Sequence, residues 1–336
     1  MLLDLSCLSY PLPPDVRRLY EAGDFGRMEQ VIRRRLDDPC VPEALKARLR
    51  VQLEMAYEIP RAYPYTQAQM LDILQKNVSG FAEEELETLR DDGTLDWRYV
   101  NGEVRFKNNA LSALLKTRKE YAMRATDPTV MSGAKASTEQ LSAMIAKMKA
   151  NGGVRARFEL HEELTVRSDR LTEGETLRIH LPMPIVGAQV KRAELLSASH
   201  PVAFLAPEDE PQRTIYFELP YEPGMTVSAE IAYEIDAPYA QPHAREVYAE
   251  QPVFDTEELP PHVVFTPYLR ALAKEIVGDE TNALLKARKI YDFITTQAVY
   301  RFMPPYLTVP NIPEYFLSGL RGDCGVQAIT FVTLCR

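Results

Sequence analysis

No stretch of this 336-residue sequence comes near the ~18 consecutive apolar residues that a membrane-crossing helix needs. A membrane protein is therefore not expected. Residues 1–10 are apolar, but they are few, lack a basic start and include Asp4, which makes a poor secretory leader. A cytoplasmic location is the expectation. Cysteine is scarce: Cys7, Cys40, Cys324 and Cys335 are too few and too scattered for a disulfide framework. No two of them have CxxC spacing, and no His/Cys cluster has metal-ligand spacing. Free thiols in a reducing compartment, without metal or other cofactor, are expected. A basic excess is also missing. Net charge is −9, and residues 151–260 hold 9 Lys+Arg against 20 Asp+Glu. That segment would repel nucleic acid.

What is present is the composition of a globular protein, 46% hydrophobic and 26% charged. The length predicts two or three domains. Residues 1–125 read mostly as helix. Val16, Leu19, Tyr20 and Phe25, then Met28, Val31, Ile32 and Leu36, recur at helical spacing on either side of Gly23-Asp24. Residues 44–57 predict a second helix, and Pro60 and Pro64 bracket a turn. Further helices are expected over 66–74, 82–89 and 109–118. Between the last two, Asn101-Gly102 separates two alternating runs, a strong hairpin signal. Helices followed by a hairpin resemble a winged-helix unit over 66–106. The candidate reading helix, Phe81-Ala-Glu-Glu-Glu-Leu-Glu, is acidic, so a helical packing domain is the preferred reading.

Residues 126–153 read as a connector. Asp127-Pro128, Ser132-Gly133 and Asn151-Gly152-Gly153 are breakers. Between them Ser137-Thr138-Glu139 is expected to cap a helix whose Leu141, Met144, Ile145 and Met148 face a core. Residues 154–240 switch to period two. Five or more strands, over 154–166, 176–182, 188–197, 215–219 and 226–235, predict an antiparallel β-sandwich. His161, His180 and His200 lie in or beside these strands and read as surface residues. Residues 238–261 are rich in proline and acid, a linker or an ordered wrap. Helices return over 266–277 and 281–294, the latter with Ala283, Leu284, Ala287, Ile290, Tyr291 and Ile294 on its buried face.

Chemistry concentrates near the end. Gly322-Asp323 is a short turn, Cys324 follows it, and an apolar helical pattern follows Cys324. This places a thiol at a helix start, where unpaired N–H groups and the helix dipole favour negative charge. A thiolate there suits covalent acyl chemistry. Cys335 lies on the apolar run and reads as core. Cys7 and Cys40 have no such context and read as small buried residues.

Two segments carry a family resemblance. Residues 287–300, Ala-Arg-Lys-Ile-Tyr-Asp-Phe-Ile-Thr-Thr-Gln-Ala-Val-Tyr, resemble the approach helix and short extended element of the transglutaminase-like superfamily. Residues 316–336 resemble its nucleophile motif, with Gly322 two residues before Cys324, Ala328 four after it, then an apolar run and Arg336. The resemblance covers about 70 residues and implies the N-terminal part of a papain-like core over 241–336. It implies Cys324 as nucleophile and as oxyanion donor through its backbone N–H. Tyr300 is a wall of the site or a second donor. The family's catalytic His and Asp follow the nucleophile, whereas all five histidines here (His161, His180, His200, His243, His262) precede it. Neither partner is assigned, and a C-terminally incomplete chain with little activity of its own is the expectation. The implied partner is a protein or peptide substrate; the oligomeric state is left open. The other reading is a non-catalytic protein- or peptide-binding scaffold on a degenerate core, whose acidic 151–260 segment would favour a basic partner.

Overall fold

The computed structural model describes residues 5–167, 170–247 and 253–336, without the side chain of residue 134. Asp4, and part of the proline- and acid-rich stretch expected over 238–261, lie outside the described residues. The architecture is mixed α/β, with twelve α-helices and several small sheets among the described residues. It divides into two compact units, residues 1–133 with 243–336 and residues 134–242.

The first unit opens with α1 (Pro14–Glu21), α2 (Phe25–Asp37) and α3 (Glu43–Ala62). Val16, Phe25, Met28, Ile32, Leu49, Met55 and Ile59 bury one face of each in a common core. Burying one such side chain is worth ~1.5–3 kcal/mol. α3 runs through Pro60, where a turn was expected. A proline in the last turn removes only one N–H, and the Tyr63 N–H closes the helix on the Ile59 carbonyl.

A short strand β1 (Tyr65–Thr66) leads into α4 (Gln67–Asn77) and α5 (Glu83–Asp91). Thr66 and Gln69 form a capping box at the start of α4. The expected hairpin follows as β2 (Trp97–Val100) and β3 (Glu103–Phe106). Asn101 and Gly102 both take positive φ, 50° and 86°, as a type I′ turn requires. The strand order is β1-β3-β2, antiparallel. Then come α6 (Ala110–Thr117) and α7 (Lys119–Ala122). Met70, Leu74, Leu86, Leu89, Phe106 and Leu114 form a second core.

α8 (Thr129–Asn151) spans the boundary of the units. It passes through Ser132-Gly133 and Ser137-Thr138-Glu139, where a break and a cap were expected. Asp127 already holds the start, accepting from the Thr129 N–H at 2.8 Å. The helix-forming Ala, Lys, Met and Gln residues beyond it absorb the ~1 kcal/mol cost of one glycine. The stripe expected to be core is not: Leu141, Met144 and Ile145 are exposed.

The second unit holds β4 (Gly153–Thr165), β5 (Thr176–Pro182), β6 (Val190–Ala198), β7 (Phe204–Leu205), β8 (Thr214–Pro220) and β9 (Thr226–Pro238). They form two three-stranded antiparallel sheets, β4-β9-β6 and β5-β8-β7. Alternate residues Val227, Ala229 and Ile231 of β9 meet Ile179, Leu181, Ile215 and Phe217 of the other sheet in one core.

The first unit resumes with α9 (Pro267–Val277), α10 (Ala283–Gln297), β10 (Val299–Tyr300), α11 (Ile312–Gly319), β11 (Arg321–Gly322) and α12 (Cys324–Cys335). Leu269, Ile290, Ile294, Ile312, Phe316 and Val326 form their core. On α10, Ile290 and Ile294 are buried, but Ala283 and Tyr291, expected on that face, are exposed. The Tyr291 ring lies instead under the Arg288 guanidinium on the outer surface. Among the described residues no helix is long and apolar enough to cross a membrane.

Candidate active site

The approach to Cys324 is built by steric necessity. Leu320 ends α11 in the left-handed region, φ 48° and ψ 34°, a conformation that costs a branched residue ~1–3 kcal/mol. It turns the chain into β11, which pairs in parallel with β10, Val299 opposite Arg321 and Tyr300 opposite Gly322. A Cβ on Gly322 would stand 2.9 Å from the Phe316 ring and 3.0 Å from a Val326 methyl, so no larger residue fits. Asp323 is then the N-cap of α12 and accepts from the Val326 N–H at 3.2 Å.

Cys324 is the first residue of α12 and is exposed. The Tyr306 hydroxyl donates to Asp323 Oδ1 at 2.5 Å and lies 2.4 Å from where a Gly325 Cβ would be. Tyr306 thus covers both neighbours of the cysteine. Burial, followed by the Asp323 hydrogen bond and charge, pushes its phenol well above the usual range. Gln327 adds a bond from its side-chain amide to the Gly322 carbonyl at 3.2 Å.

The loop that carries Tyr306 is held from the N-terminal part of the same unit. Lys107, buried after β3, donates to the carbonyls of Phe302 and Met303, each at 2.5 Å. Burial lowers its ammonium to about 8, while the charge of Asp323 pulls the other way. Asp96 pairs with Arg301 and accepts from the Tyr63 hydroxyl at 3.0 Å. Burial, with Tyr315 nearby, pushes the Tyr63 phenol up to about 12. The Tyr20 hydroxyl donates to the Thr308 carbonyl at 3.0 Å, and Arg321 to the Asp92 carbonyl at 2.7 Å.

Tyr300 is half-buried, with the Lys116 ammonium 3.9 Å above its ring and Phe302 edge-on at 5.4 Å. It pairs with Gly322, the residue two before Cys324; its described ring contacts are Lys116 and Phe302. Cys335 is exposed rather than core, because the buried side of α12 is Val326, Thr330, Thr333 and Leu334. Cys40 is also exposed, in the turn between α2 and α3, and Cys7 is buried. His161, His180 and His200 bond to Glu230, Thr214 and Ser199 respectively. Among the described residues no group of three His, Cys, Asp or Glu gathers as metal ligands.

Sequence reading did not reach Lys107, Asp96 or Tyr306. Asp96 and Lys107 flank the hairpin at 97–106, and each finds its partner about two hundred residues away. No local spacing encodes such a pairing. Tyr306 stands in a loop broken by Pro304, Pro305, Pro310 and Pro313, where no periodicity marks a side chain.

Residues 270–336 match the family model of the transglutaminase-like superfamily. None of the curated proteins compared matches the chain. Among solved structures, a crystal structure described as a candidate cysteine protease from Cytophaga hutchinsonii is similar at 16% identity and a TM-score of 0.37. The similarity covers 55% of this chain and 65% of that one, less than two thirds of the solved structure.

Proposed function

From a chain whose residues 270–336 match the transglutaminase-like superfamily, we propose a cysteine acyl-transfer protein in which Cys324 is the nucleophile. The observation that carries it is the exposed thiol at the first residue of α12, held between the Asp323 cap and Gly325. The Cys324 sulfur, as thiolate, adds to the carbonyl carbon of an amide in a protein or peptide. The oxyanion meets the Cys324 backbone N–H, which at a helix start has no partner within the helix. The C–N bond breaks, the amine leaves with a proton from a general acid, and a thioester remains. Water or a second amine then attacks the thioester and releases the thiolate, giving a carboxylic acid or a new amide. In the family a histidine oriented by an aspartate supplies the base and follows the nucleophile; neither is assigned in this chain.

The two sheets of 154–240 are read as a β-sandwich, on the strength of their shared core. Residues 1–125 are read as a helical region, 126–153 as a connector and 241–336 as the N-terminal part of the papain-like core. The test is acylation by p-nitrophenyl acetate. One acetyl group on Cys324, with nitrophenolate release lost in Cys324→Ala, is expected. Acetylation elsewhere, or equal release by the variant, contradicts the proposal.

One observation favours the scaffold reading. No histidine hydrogen-bonded to Cys324 is found among the described residues. A scaffold predicts no turnover across a panel of fluorogenic amides, and turnover abolished by Cys324→Ala contradicts it.

A further inference from the structure

Tyr306 comes to the start of α12 from a loop seventeen residues before Asp323. Its hydroxyl donates to Asp323 Oδ1 at 2.5 Å, and the same oxygen accepts the Val326 N–H at 3.2 Å. Asp323 is the N-cap of α12 and the residue before Cys324, so a carboxylate stands next to the nucleophile of the proposed reaction. That placement serves the helix and opposes the chemistry. As a cap, the carboxylate satisfies a first-turn N–H. As a neighbour, its negative charge disfavours a thiolate and competes with an oxyanion for the positive end of the helix.

The hydroxyl is fitted to offset that charge. Burial, then the bond to Asp323, then the charges of Asp323 and Cys324 hold the Tyr306 phenol protonated well above the usual range, so it stays a donor. The loop that carries it is tied on both sides. Before Tyr306, Lys107 donates to the carbonyls of Phe302 and Met303, and its ammonium also feels the Asp323 charge. After Tyr306, the Thr308 hydroxyl donates to the Pro305 carbonyl at 2.7 Å, and the Tyr20 hydroxyl to the Thr308 carbonyl at 3.0 Å.

We propose that Tyr306 is a positioning residue for Cys324: its hydroxyl holds the Asp323 carboxylate in the cap and takes up part of its charge. The helix start then keeps its capping acid and still favours an anionic sulfur and an oxyanion. The proposal rests on the reading of Cys324 as nucleophile and adds a residue to that site.

Alkylation by iodoacetamide and by iodoacetate tests this on the full chain at low salt and neutral pH, with Cys324 and Cys40 read separately by mass spectrometry. One reagent is neutral, the other anionic, and they are close in size. Their rate ratio at one cysteine cancels the thiolate fraction and the openness of the site, and leaves the local charge. Tyr306→Phe keeps the ring beside Gly325 and removes only the donor. The iodoacetate-to-iodoacetamide ratio at Cys324 should fall about twofold to fourfold in Tyr306→Phe, the span of one exposed charge interaction. The ratio at Cys40 should stay where it is. Asp323→Asn, which still caps the helix, should raise the Cys324 ratio, and adding Tyr306→Phe to it should change nothing further. A ratio unmoved by Tyr306→Phe overturns the proposal, including the case where both rates rise together and the side chain is a cover only. So does a fall of the same size in the Asp323→Asn background. A wild-type Cys324 no faster than Cys40 with iodoacetamide overturns the nucleophile reading instead.

Discussion

Asp96→Ala is the sharpest probe of how the N-terminal part of the first unit holds the loop beside Cys324. Asp96 is 7% exposed and is shared by Arg301 and the Tyr63 hydroxyl. Burial already lowers the Arg301 pKa, and its Nε has no partner. Removing the carboxylate leaves a buried guanidinium uncompensated, a change that costs ~3–5 kcal/mol. With a urea dependence of about 3 kcal/mol per molar, the midpoint should fall by a little over 1 M. Trp97 is the only tryptophan in the chain and adjoins Asp96, so its fluorescence follows the unfolding of this unit. The double variant Asp96→Ala/Arg301→Met deletes the stranded charge and should recover most of the loss. A midpoint shift below about 0.3 M for Asp96→Ala would refute the reasoning, since it amounts to less than ~1 kcal/mol. So would a double variant no more stable than the single.

Three further outcomes are expected. The Lys107 ammonium is lowered from 10.5 to about 8, so between those values the unfolded chain binds more protons than the folded one. Its contribution to stability should rise through that window, by at most ~3 kcal/mol at about 1.4 per unit. Lys107→Met should flatten this rise in urea midpoints measured across it. Glu85, bonded to Arg124 at 2.7 and 3.0 Å and to the Ala82 N–H, is held down at about 2. It stabilises above the ordinary carboxylate range, and that stability is lost as pH falls toward about 2; acid titration of Glu85→Gln should lack the loss. Gly325→Ala would gain ~1 kcal/mol in helix propensity, but its Cβ meets the Tyr306 hydroxyl at 2.4 Å. It should lower the thermal midpoint, and Tyr306→Ala should restore it.

Local codes were legible where one physical cause decides. Period-two alternation located the long strands β5, β8 and β9, one face of which is buried; it located β4 too, although its Phe158, Leu160 and Leu164 stay exposed. Asn101-Gly102 gave the hairpin through its positive φ values, and Gly322-Asp323 gave the start of α12. Reading failed where two signals compete. Pro60 is a local turn signal and Ser137-Thr138-Glu139 a local cap signal, but the helices around them were already closed or nucleated elsewhere. Cys335 and Tyr291 lie on apolar patterns wider than the face that the neighbouring helices cover. Lys107 and Asp96 were illegible for another reason: the meaning of a buried charge lies in its partner, and the partner is distant in sequence.

The central claim is that Cys324 is the chemically committed thiol of the chain. Limiting iodoacetamide at neutral pH, followed by mass-spectrometric mapping of all four cysteines, tests it directly. Cys40 and Cys335 are exposed as Cys324 is, so exposure alone cannot decide the result. The account predicts that Cys324 is alkylated first, ahead of Cys40, Cys335 and the buried Cys7. Preferential labelling of Cys40 or Cys335 would contradict it.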